Sequence, residues 1–511
     1  MRHYDQELPP VRDERLNIGD AYAGNACGLV DCSKSGCMIR NNRGFWQTVA
    51  CQMALSLMMA ATVENAAIVL HGAIGCGAQM HALGLASSRG KLVRGKTPGQ
   101  PVWVSTNLKE SDVIGGGEEK LRETIRYVDA EFRPEIIFVV VTCAPSIIGD
   151  NVEDVVRKTQ DASAAEIVSI HCPGFRSRVV ASAYDSFYHG LLRHISFEPE
   201  PYRDYRPPAP SDPQYELEVK KYEYIKNHTV NLWNATSIGP SDEDEVVRLL
   251  TALGLKVRIF AEYSNADEFR MVSQAGLNVS LCNVHDDYIL KYLEEKYGIP
   301  YVIAGMPIGK AATRKWLISA AAHFGLEDEA GRLADYEERL LDDAIRPLLP
   351  GIRGKRVLLG GGVVRVGVEA AALSELGMDV IGVRAYHFDN NAESVYEDVA
   401  ETLGETPVSV SNQAFELVNQ IKEYRPDLLI THAGSHGIVA KLGVPSMQMF
   451  SPEKSYFGYN GLFAFLKNIA FALENPSYQK RLAMHVKQPY KDSWFEKDAF
   501  ALVTEKIPKK I

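Results

Sequence analysis

The sequence predicts an α/β protein of three doubly wound domains, each built on a mostly parallel sheet covered by helices. One observation is the apolar character of the strands on both faces, as in Glu135-Ile-Ile-Phe-Val-Val-Val-Thr142. Such strands are typical of parallel sheets buried under helices. A second is that strand-like and helix-like segments alternate in three successive stretches of the 511-residue chain, which is too long for one core.

Residues 1–40 are predicted to form an amino-terminal arm, because they combine prolines, charges and three cysteines with little apolar periodicity. The first α/β domain is predicted over 41–215 and ends in a Pro-rich, charged linker. Its predicted elements are a helix from Phe45 and strands at 66–70, 102–105 and 136–142.

The second domain is predicted over 216–350 and the third over 351–490, followed by a charged tail over 491–511. In both domains strand-like runs alternate with helical segments. The predicted helices of the second domain run from Ser241 to Gly254 and from His285 to Tyr297. The predicted strands are 228–235, 256–261, 277–281 and 301–304 in the second domain, and 356–359, 379–384 and 427–431 in the third.

Charge and hydropathy exclude several classes of function. A formal net charge of -10 argues against general nucleic-acid binding. The polar first fifteen residues lack a signal core, and the longest charge-free stretch, Phe45 to Val63, contains glutamine and threonine, so we expect a buried helix there rather than a membrane span. We therefore expect a cytoplasmic protein with reduced cysteines.

Three of the eight cysteines follow predicted strands. Cys76 comes after a loop with two glycines, and Cys143 and Cys282 come directly after their strands. Ligands of parallel α/β sheets bind at that edge, and a cysteine at a helix start is favoured as thiolate. Because the chain has no CxxC pair and no HExxH motif, scattered thiolates favour an iron–sulfur cluster over structural zinc.

These cysteines lie in segments that resemble the catalytic component of nitrogenase over about residues 40–480. The resemblance implies the nitrogenase component 1 fold, with Rossmann-like domains, and a nitrogenase-like oxidoreductase. The segments that look like the alpha-type subunit are His71-Gly-Ala-Ile-Gly-Cys76, Ser105-Thr-Asn-Leu-Lys-Glu-Ser-Asp112 with Gly115-Gly-Gly117, Thr142-Cys-Ala-Pro-Ser-Ile-Ile-Gly-Asp150 and Glu294-Glu-Lys-Tyr-Gly-Ile-Pro300.

The resemblance implies two metal centres. Cys51, Cys76 and Cys143 match the cysteines that hold half of an 8Fe-7S P-cluster, shared with a beta-type (K-type) subunit in an α2β2 heterotetramer. Cys282 matches the cysteine that holds the active-site cofactor, which protochlorophyllide reductase and the nickel-tetrapyrrole reductase lack. Electrons are then expected from an ATP-hydrolysing iron protein with a 4Fe-4S cluster, through the P-cluster, to the cofactor.

Other positions depart from nitrogenase. The histidine that binds the other end of the cofactor in that family matches Phe450, whose ring cannot ligate metal. Nitrogen or carboxylate ligands would suit iron, and an all-iron cofactor, 8Fe-9S-C, is the expectation. The substitute ligands left open are His432, His436, Met447, Met449 and Glu453.

The substrate face departs as well. Val180 and Tyr184 match a glutamine and a histidine of the family, so we expect an apolar pocket in which Tyr184 donates a proton. Arg365 matches the arginine that donates to cofactor sulfides. Gly362, in the turn before it, and His387 are expected near the cofactor.

Among relatives, this pattern is most similar to the D-type subunit of methylthio-alkane reductase. The resemblance implies reductive cleavage of the carbon–sulfur bond of a small thioether, giving methanethiol and a small hydrocarbon. Two alternatives of the same fold stay open: a cofactor-assembly scaffold and a dinitrogen-reducing alpha subunit. A third, from another class, is a non-catalytic binding protein whose cysteines all lie in the core.

The remaining candidates have plainer interpretations. Cys27, Cys32 and Cys37 fit no zinc-ligand spacing and are expected to be structural or incidental thiols, and Cys172 a core residue. Segment 105–117 is expected to form a rigid turn near a cluster or the cofactor. The stretch His285-Asp286-Asp287 is either a set of partners for the Cys282 site or the polar start of a helix.

Overall fold

The structure, a computed structural model, describes residues 3–19, 21–38, 51–177, 179–197, 209–234, 240–411, 413–431, 439, 441–449, 454–487 and 491–496. The chain divides into two compact units. The first comprises Met1–Arg15, Ala50–Thr236 and Val247–Ile303, and the second Leu16–Val49, Ser237–Val246 and Ala304–Ile511. None of the described helices is both long and apolar enough to cross a membrane.

The first unit contains a four-stranded, fully parallel sheet whose second and third strands are central. Its strand Ile136–Val141 is buried at every residue, as its uninterrupted apolar sequence predicts. Val69 and Val139 of this sheet share a core cluster with Leu121 and Val155 of the covering helices. In sheet order the strands are Val102–Ser105, Ala66–His71, Ile136–Val141 and Glu166–His171.

The same unit contains a second parallel sheet of four strands. In sheet order these are Tyr301–Ile303, Leu277–Ser280, Thr229–Asn234 and Lys256–Ala261. The helix Asp287–Tyr297 begins two residues later than predicted and ends at Gly298, whose positive φ of 67° is typical of a helix end. Residues 281–286 therefore form a turn between strand and helix.

The helices of the first unit cover its two sheets and include the amino-terminal turns. The α-helices are Arg12–Arg15, Gln52–Thr62, Met80–Val93, Glu110–Gly115, Glu118–Phe132, Cys143–Ile148, Val152–Gln160, Ser182–His194, Tyr215–Asn227, Ala266–Arg270 and Asp287–Tyr297. The 3-10 helices are His3–Asp5, Ile74–Gln79 and Met271–Ser273, and the α-helix Pro240–Ala252 is divided between the two units.

The second unit contains a six-stranded sheet that is parallel except at one edge. The antiparallel edge strand comes from the amino-terminal arm, which was predicted without strands. In sheet order the strands are Ser446–Gln448, Leu428–Thr431, Arg356–Gly361, Asp379–Ala385, Val408–Val410 and Tyr22–Gly24, and Ile18–Gly19 pairs separately with Phe388–Asp389.

Helices on this sheet include Val363–Glu375, which starts directly after the turn at Gly362. Leu358 and Leu429 of the strands pack with Leu417 and Ile421 of a helix in one core cluster. The α-helices are Ala26–Lys34, Lys310–Ala322, Glu327–Ile345, Leu349–Ile352, Val363–Glu375, Glu393–Leu403, Ala414–Tyr424, Gly458–Glu474 and Ser477–His485, with 3-10 helices Asn390–Ala392 and Asp492–Trp494.

One expectation for the arm, the reduced state of two of its cysteines, is wrong. Residues 3–19 and 21–38 form short helices and strands, and Leu29 and Val30 of the helix Ala26–Lys34 are buried. Cys32 and Cys37, expected as reduced thiols, form a disulfide, since the turn at the helix end brings their Cα atoms within 5.0 Å. Cys27 is a free, exposed cysteine.

Candidate metal centres

Three cysteines of the first unit lie near one another, and two of them, Cys51 and Cys143, lie beside Gly174. Cys51 is the residue before a helix, Cys143 is the first residue of another, and Cys76 lies in a 3-10 helix. A Cβ atom at Gly174 would lie 3.1 Å from the Cys51 Sγ and 3.7 Å from the Cys143 Sγ. Only glycine leaves the space beside these two sulfurs open.

The state of Cys76 differs from the expectation drawn from the sequence. A helix start was expected to favour its thiolate, but burial raises the pKa of Cys76, and the nearby thiols of Cys143 and Cys51 raise it further. Thr142 forms a hydrogen bond with the Cys76 side chain that opposes this rise only in part. Without a bound cation, clustering of three thiols therefore favours the protonated form.

A buried polar cluster of His71, Thr106 and Asp150 lies next to the loop before Cys76. Gly72 has a φ of 152°, and a Cβ there would overlap the Thr142 hydroxyl. The ring of His71 lies 3.1 Å from Asp150 Oδ2 through Nε2 and 3.2 Å from Thr106 Oγ1 through Nδ1. Burial lowers the pKa of His71, although Asp150 acts in the opposite direction.

The segment 105–117 was expected to form a rigid turn, but its second half contains the short helix Glu110–Gly115. Thr106 at its start bonds to His71, and the backbone N–H of Gly117 at its end donates to Asp150 Oδ1 at 2.9 Å. The start of the segment is thus bonded to His71 and Gly72 before Cys76, and its end reaches His71 through Asp150. The segment therefore stabilises the position of His71, which precedes the Cys76 loop.

Exposed apolar side chains lie close to the cysteines and to Gly174 in the sequence. Ile74, Ile147 and Phe175 keep 55%, 69% and 56% of their surface exposed. Each lies within four residues of a cysteine or beside Gly174. Exposed apolar side chains that cluster around a potential ligand site are typical of a surface covered by a partner.

Cys172 is fully buried, as expected, and burial raises the pKa of its thiol. Among the residues that the structure describes, no three His, Cys, Asp or Glu side chains are close enough to hold a single metal ion. The cysteines beside Gly174 are thus not arranged as a mononuclear site. A multi-iron cluster takes its thiolates on different iron atoms, which requires a wider spacing.

Cys282 occupies the turn after the strand Leu277–Ser280 and is 3% exposed. Its backbone N–H donates to Ser280 Oγ at 3.1 Å, and its carbonyl accepts from the backbone N–H of His285 at 3.4 Å. The ring of His285 lies 4.2 Å from the ring of Tyr184. The structure thus brings the predicted proton donor Tyr184 to the turn that carries Cys282.

The two aspartates after His285 have separate partners. Asp286 accepts from Ser280 Oγ at 2.5 Å and from Tyr188 Oη at 2.7 Å, and burial raises its pKa to about 6 despite these donors. Asp287 binds Arg12 at 3.3 Å and Arg15 at 2.5 Å. Burial opposes its ionisation, but the two arginines outweigh burial and hold the pKa of Asp287 below its usual range.

The same arginines also bind Asp185, which follows Tyr184 on the helix Ser182–His194. The amino-terminal turn therefore joins the Tyr184 helix to the helix that follows Cys282. The sequence analysis missed this network. Its signal was an aspartate inside an otherwise buried helical stretch, Ser182 to Leu192, where an unpaired charge would be costly.

Arg365 lies in the second unit, on the first turn of the helix Val363–Glu375. It is 3% exposed, with its guanidinium 5.9 Å from the centre of the Phe457 ring. Glu369, one turn later, is 1% exposed, and burial raises its pKa to about 8 against the opposing charge of Arg365. Glu369 is a second residue that the sequence analysis missed.

Asp242, whose carboxylate lies near Arg365, stabilises the backbone at residues 455–457. Its Oδ1 accepts from the backbone N–H groups of Tyr456 and Phe457 at 2.6 and 2.9 Å and from Ser455 Oγ at 2.9 Å. His387, an expected wall residue, is buried 3.6 Å from Asp389 in the same unit. Gly362 precedes the Arg365 helix with ordinary extended backbone.

The candidates for the second end of the cofactor fall mostly outside the described residues. His432, His436 and Glu453 lie there, as does Phe450, which replaces the ligand histidine of the family. Met447 and Met449 are described and buried, at 4% and 2% exposure, in and after the strand Ser446–Gln448. Val180 is half-buried just before the helix that carries Tyr184.

Comparison with known proteins gives this geometry a context. The chain is 25% identical over 490 residues to the nitrogenase molybdenum-iron protein alpha chain of Methanothermobacter marburgensis, covering 92% of this chain and 96% of that protein. It is 26% identical over 427 residues to the nitrogenase iron-molybdenum cofactor biosynthesis protein NifE of Methanococcus maripaludis, covering 82% of each.

A solved structure, titled nitrogenase Cp1 at pH 5, matches with a TM-score of 0.70 at 17% identity over 89% of this chain and 92% of that one. This match confirms the predicted fold class. The family model described as nitrogenase component 1 type oxidoreductase matches residues 51–474, which include all four cysteines of the two candidate centres. The chain therefore belongs to the nitrogenase component 1 type oxidoreductase family.

Proposed function

We propose that this protein is the catalytic, alpha-type subunit of a nitrogenase-like reductase that cleaves the carbon–sulfur bond of methylthio-alkanes. The observation that carries the proposal is the Tyr184–His285 contact at the turn of Cys282. Nitrogenase has a histidine at the position that Tyr184 matches, and a phenol changes the proton donor of the site. Val180, in place of a glutamine, makes the same face less polar.

Membership in the family implies iron–sulfur clusters of the P-cluster and FeMo-cofactor kinds. The residues present fit both groups: Cys51, Cys76 and Cys143 lie near one another, two of them beside the space at Gly174, and Cys282 is a separate buried thiol. Cys51, Cys76 and Cys143 would hold the first and Cys282 the second. When bound, such clusters supply the electrons of the reaction. In this proposal the second cofactor is all-iron, and His432, His436, Gly362 and Arg365 remain the candidate contacts that the family resemblance implies.

The overall reaction would take up two electrons and two protons. The thioether R–S–CH3 becomes R–H and CH3–SH, with one proton on the new carbon–hydrogen bond and the other on the thiol. Electrons come from an iron protein that hydrolyses ATP. Tyr184 would hold a proton at Oη, and Val180 would exclude water from a substrate that hydrogen-bonds poorly.

A beta-type partner in an α2β2 assembly is part of the proposal. Alpha subunits of this family pair with beta subunits and work with an iron protein. The exposed apolar residues Ile74, Ile147 and Phe175, close in sequence to the cysteines and to Gly174, support such a partner. A half-cluster at an exposed surface would need a second protein to complete its ligands and exclude water.

The test uses the complex purified without oxygen, with its iron protein, ATP and a reductant. We expect ethyl methyl sulfide to yield methanethiol and ethane, and Cys282→Ala to abolish both products and to lower the iron content. Cys27→Ala, an exposed cysteine of the second unit, is the control and should change neither. Reduction of dinitrogen to ammonia without thioether cleavage would instead identify a nitrogenase.

A cofactor-assembly scaffold is the second candidate. The 26% identity to the NifE protein and the phenylalanine at position 450 favour it, since a scaffold must release what it holds. A scaffold predicts iron on Cys282, no turnover of ethyl methyl sulfide, and transfer of that iron to an acceptor protein. Turnover by the purified complex would contradict it.

A further inference from the structure

A buried chain of hydrogen bonds runs behind Cys282. Ser280 Oγ lies 3.1 Å from the backbone nitrogen of Cys282, 2.9 Å from its carbonyl oxygen and 2.5 Å from Asp286 Oδ2. Ser280 and Asp286 are both fully buried. A hydroxyl carries one hydrogen, so Ser280 can donate to the Asp286 carboxylate or to the Cys282 carbonyl but not fully to both.

Asp286 is itself held firmly. Its Oδ1 accepts from Tyr188 Oη at 2.7 Å, and the Tyr188 ring packs edge-on against Trp233 with centres 5.7 Å apart. Trp233 donates through Nε1 to Asn278 Oδ1 at 3.0 Å, in the strand that leads to Cys282. Through Tyr188 and Trp233, the Asp286 carboxylate is thus connected to the strand Leu277–Ser280, which leads to Cys282.

The neighbouring residue fixes the direction of Asp286. Asp287 is bound by Arg12 and Arg15, so the backbone at the start of its helix has little freedom to rotate. Successive carboxylates therefore serve different tasks. Asp287 joins the amino-terminal turn to the helix, whereas Asp286 faces Ser280 and Tyr188.

We propose that Asp286 is a positioning residue for Cys282, acting through Ser280. By accepting the Ser280 hydrogen, the carboxylate orients the hydroxyl oxygen toward the Cys282 N–H and holds that N–H away from the cysteine sulfur. The direction of the Cys282 side chain is then set before any metal group binds. The inference rests on the proposed function in one respect, that Cys282 holds the cofactor.

The chemistry of Asp286→Asn explains why that variant is informative. An asparagine has one acceptor oxygen and one donor group, so it can keep the bond from Ser280 or the bond from Tyr188, but not both. Ser280→Ala removes the intermediate hydroxyl. If Asp286 acts through Ser280, then Ser280→Ala and an asparagine that keeps the bond from Tyr188 interrupt the same path, and combining the two changes adds nothing.

The experiment uses the anaerobically purified complex with Asp286→Asn, Ser280→Ala and the double variant. Ser264→Ala is the matched control, because it removes a buried hydroxyl of the same unit that donates to a backbone carbonyl away from Cys282. The readouts are the rate of iron loss to a chelator, the electron paramagnetic resonance signature of the reduced cofactor, and the melting temperature.

We expect both single variants and the double variant to share one altered signature and to lose cofactor iron about 10-fold faster than wild type, as supports of metal ligands typically behave. Ser264→Ala should keep the wild-type signature. Ser280→Thr, which retains the hydroxyl, should show the wild-type signature as well. If Asp286→Asn does not assemble, the comparison of Ser280→Ala with Ser280→Thr tests the inference: only Ser280→Ala should lose iron faster and show the altered signature.

Two failures can be told apart. If Cys282→Ala retains all iron, the proposed function fails and this inference falls with it. If Cys282→Ala loses the cofactor iron but Asp286→Asn and Ser280→Ala keep the wild-type signature and lower only the melting temperature, Asp286 has a structural role alone. Additive effects of the two changes would also overturn the inference.

Discussion

Glu369 and Arg365 lie one helical turn apart, and both are almost completely buried. Within the described part of the chain, Glu369 Oε1 has no hydrogen-bond partner. A carboxylate in that setting is poorly solvated, which is why burial raises its pKa to about 8 even with an arginine nearby. Near neutral pH, Glu369 is thus a substantially protonated acid beside a predicted cofactor contact.

This gives a prediction about pH. Because the folded chain holds the Glu369 proton more tightly than the unfolded chain, whose pKa is near the ordinary 4.5, stability falls as pH rises from about 4.5 to about 8. One such group lowers the free energy of unfolding by about 5 kcal/mol across that window. Glu369→Gln should flatten this part of the profile, measured as melting temperature against pH. Parallel profiles for the two proteins would contradict it.

At the scale of elements, the amino-terminal turn Arg12–Arg15 is tied to two helices by ion pairs. Arg15 is 9% exposed in its side chain and binds Asp185 at 3.0 Å and Asp287 at 2.5 Å. Asp185 follows Tyr184 within the helix Ser182–His194, and Asp287 is the first residue of the helix after the Cys282 turn. The turn thus stabilises the geometry of the predicted active site from a distance.

We expect Arg15→Ala to lower the free energy of unfolding by about 3 kcal/mol, because it leaves two buried carboxylates with a single arginine. The measurement is denaturant unfolding of the purified chain. Arg122→Ala, which removes an exposed pair with Glu119, should cost about 0.5 kcal/mol or less. Equal costs for the two variants would show that the buried network adds no special stability.

At the scale of the whole molecule, the cysteine site beside Gly174 opens on the surface of the first unit. Its exposed apolar rim, with Ile147 at 69% exposure, differs from the buried setting of Cys282. The contrast fits the two predicted tasks. A shared relay cluster belongs at a subunit boundary, whereas a cofactor that reduces a small thioether belongs where water is excluded.

We expect Ile147→Asp to weaken association with the beta-type subunit by about 100-fold, about 3 kcal/mol, because a carboxylate would be buried without a partner. Size-exclusion chromatography of co-expressed subunits measures this. Leu217→Asp, at a similarly exposed apolar position on the helix Tyr215–Asn227, should leave assembly intact. Intact heterotetramer with Ile147→Asp would place the partner elsewhere.

By itself, the sequence determined the class of the fold and the position of each cysteine relative to its strand. Both depend on local patterns, since apolar runs such as Ile136–Val141 and the residues after them are encoded by neighbours in the chain. The start of the helix after Cys282 was predicted two residues early, and the strands of the arm were missed. Those depend on packing more than on local propensity.

The tertiary structure alone decided which distant residues meet. Arg12 and Asp185 are 173 positions apart, and no local pattern pairs them. Gly174 faces Cys51 only because two loops close on one sheet edge, and Asp286 reaches Ser280 only because the turn at Cys282 folds back on its strand. Local propensity places side chains along an element, but the partner of a buried charge or thiol is set by how elements pack.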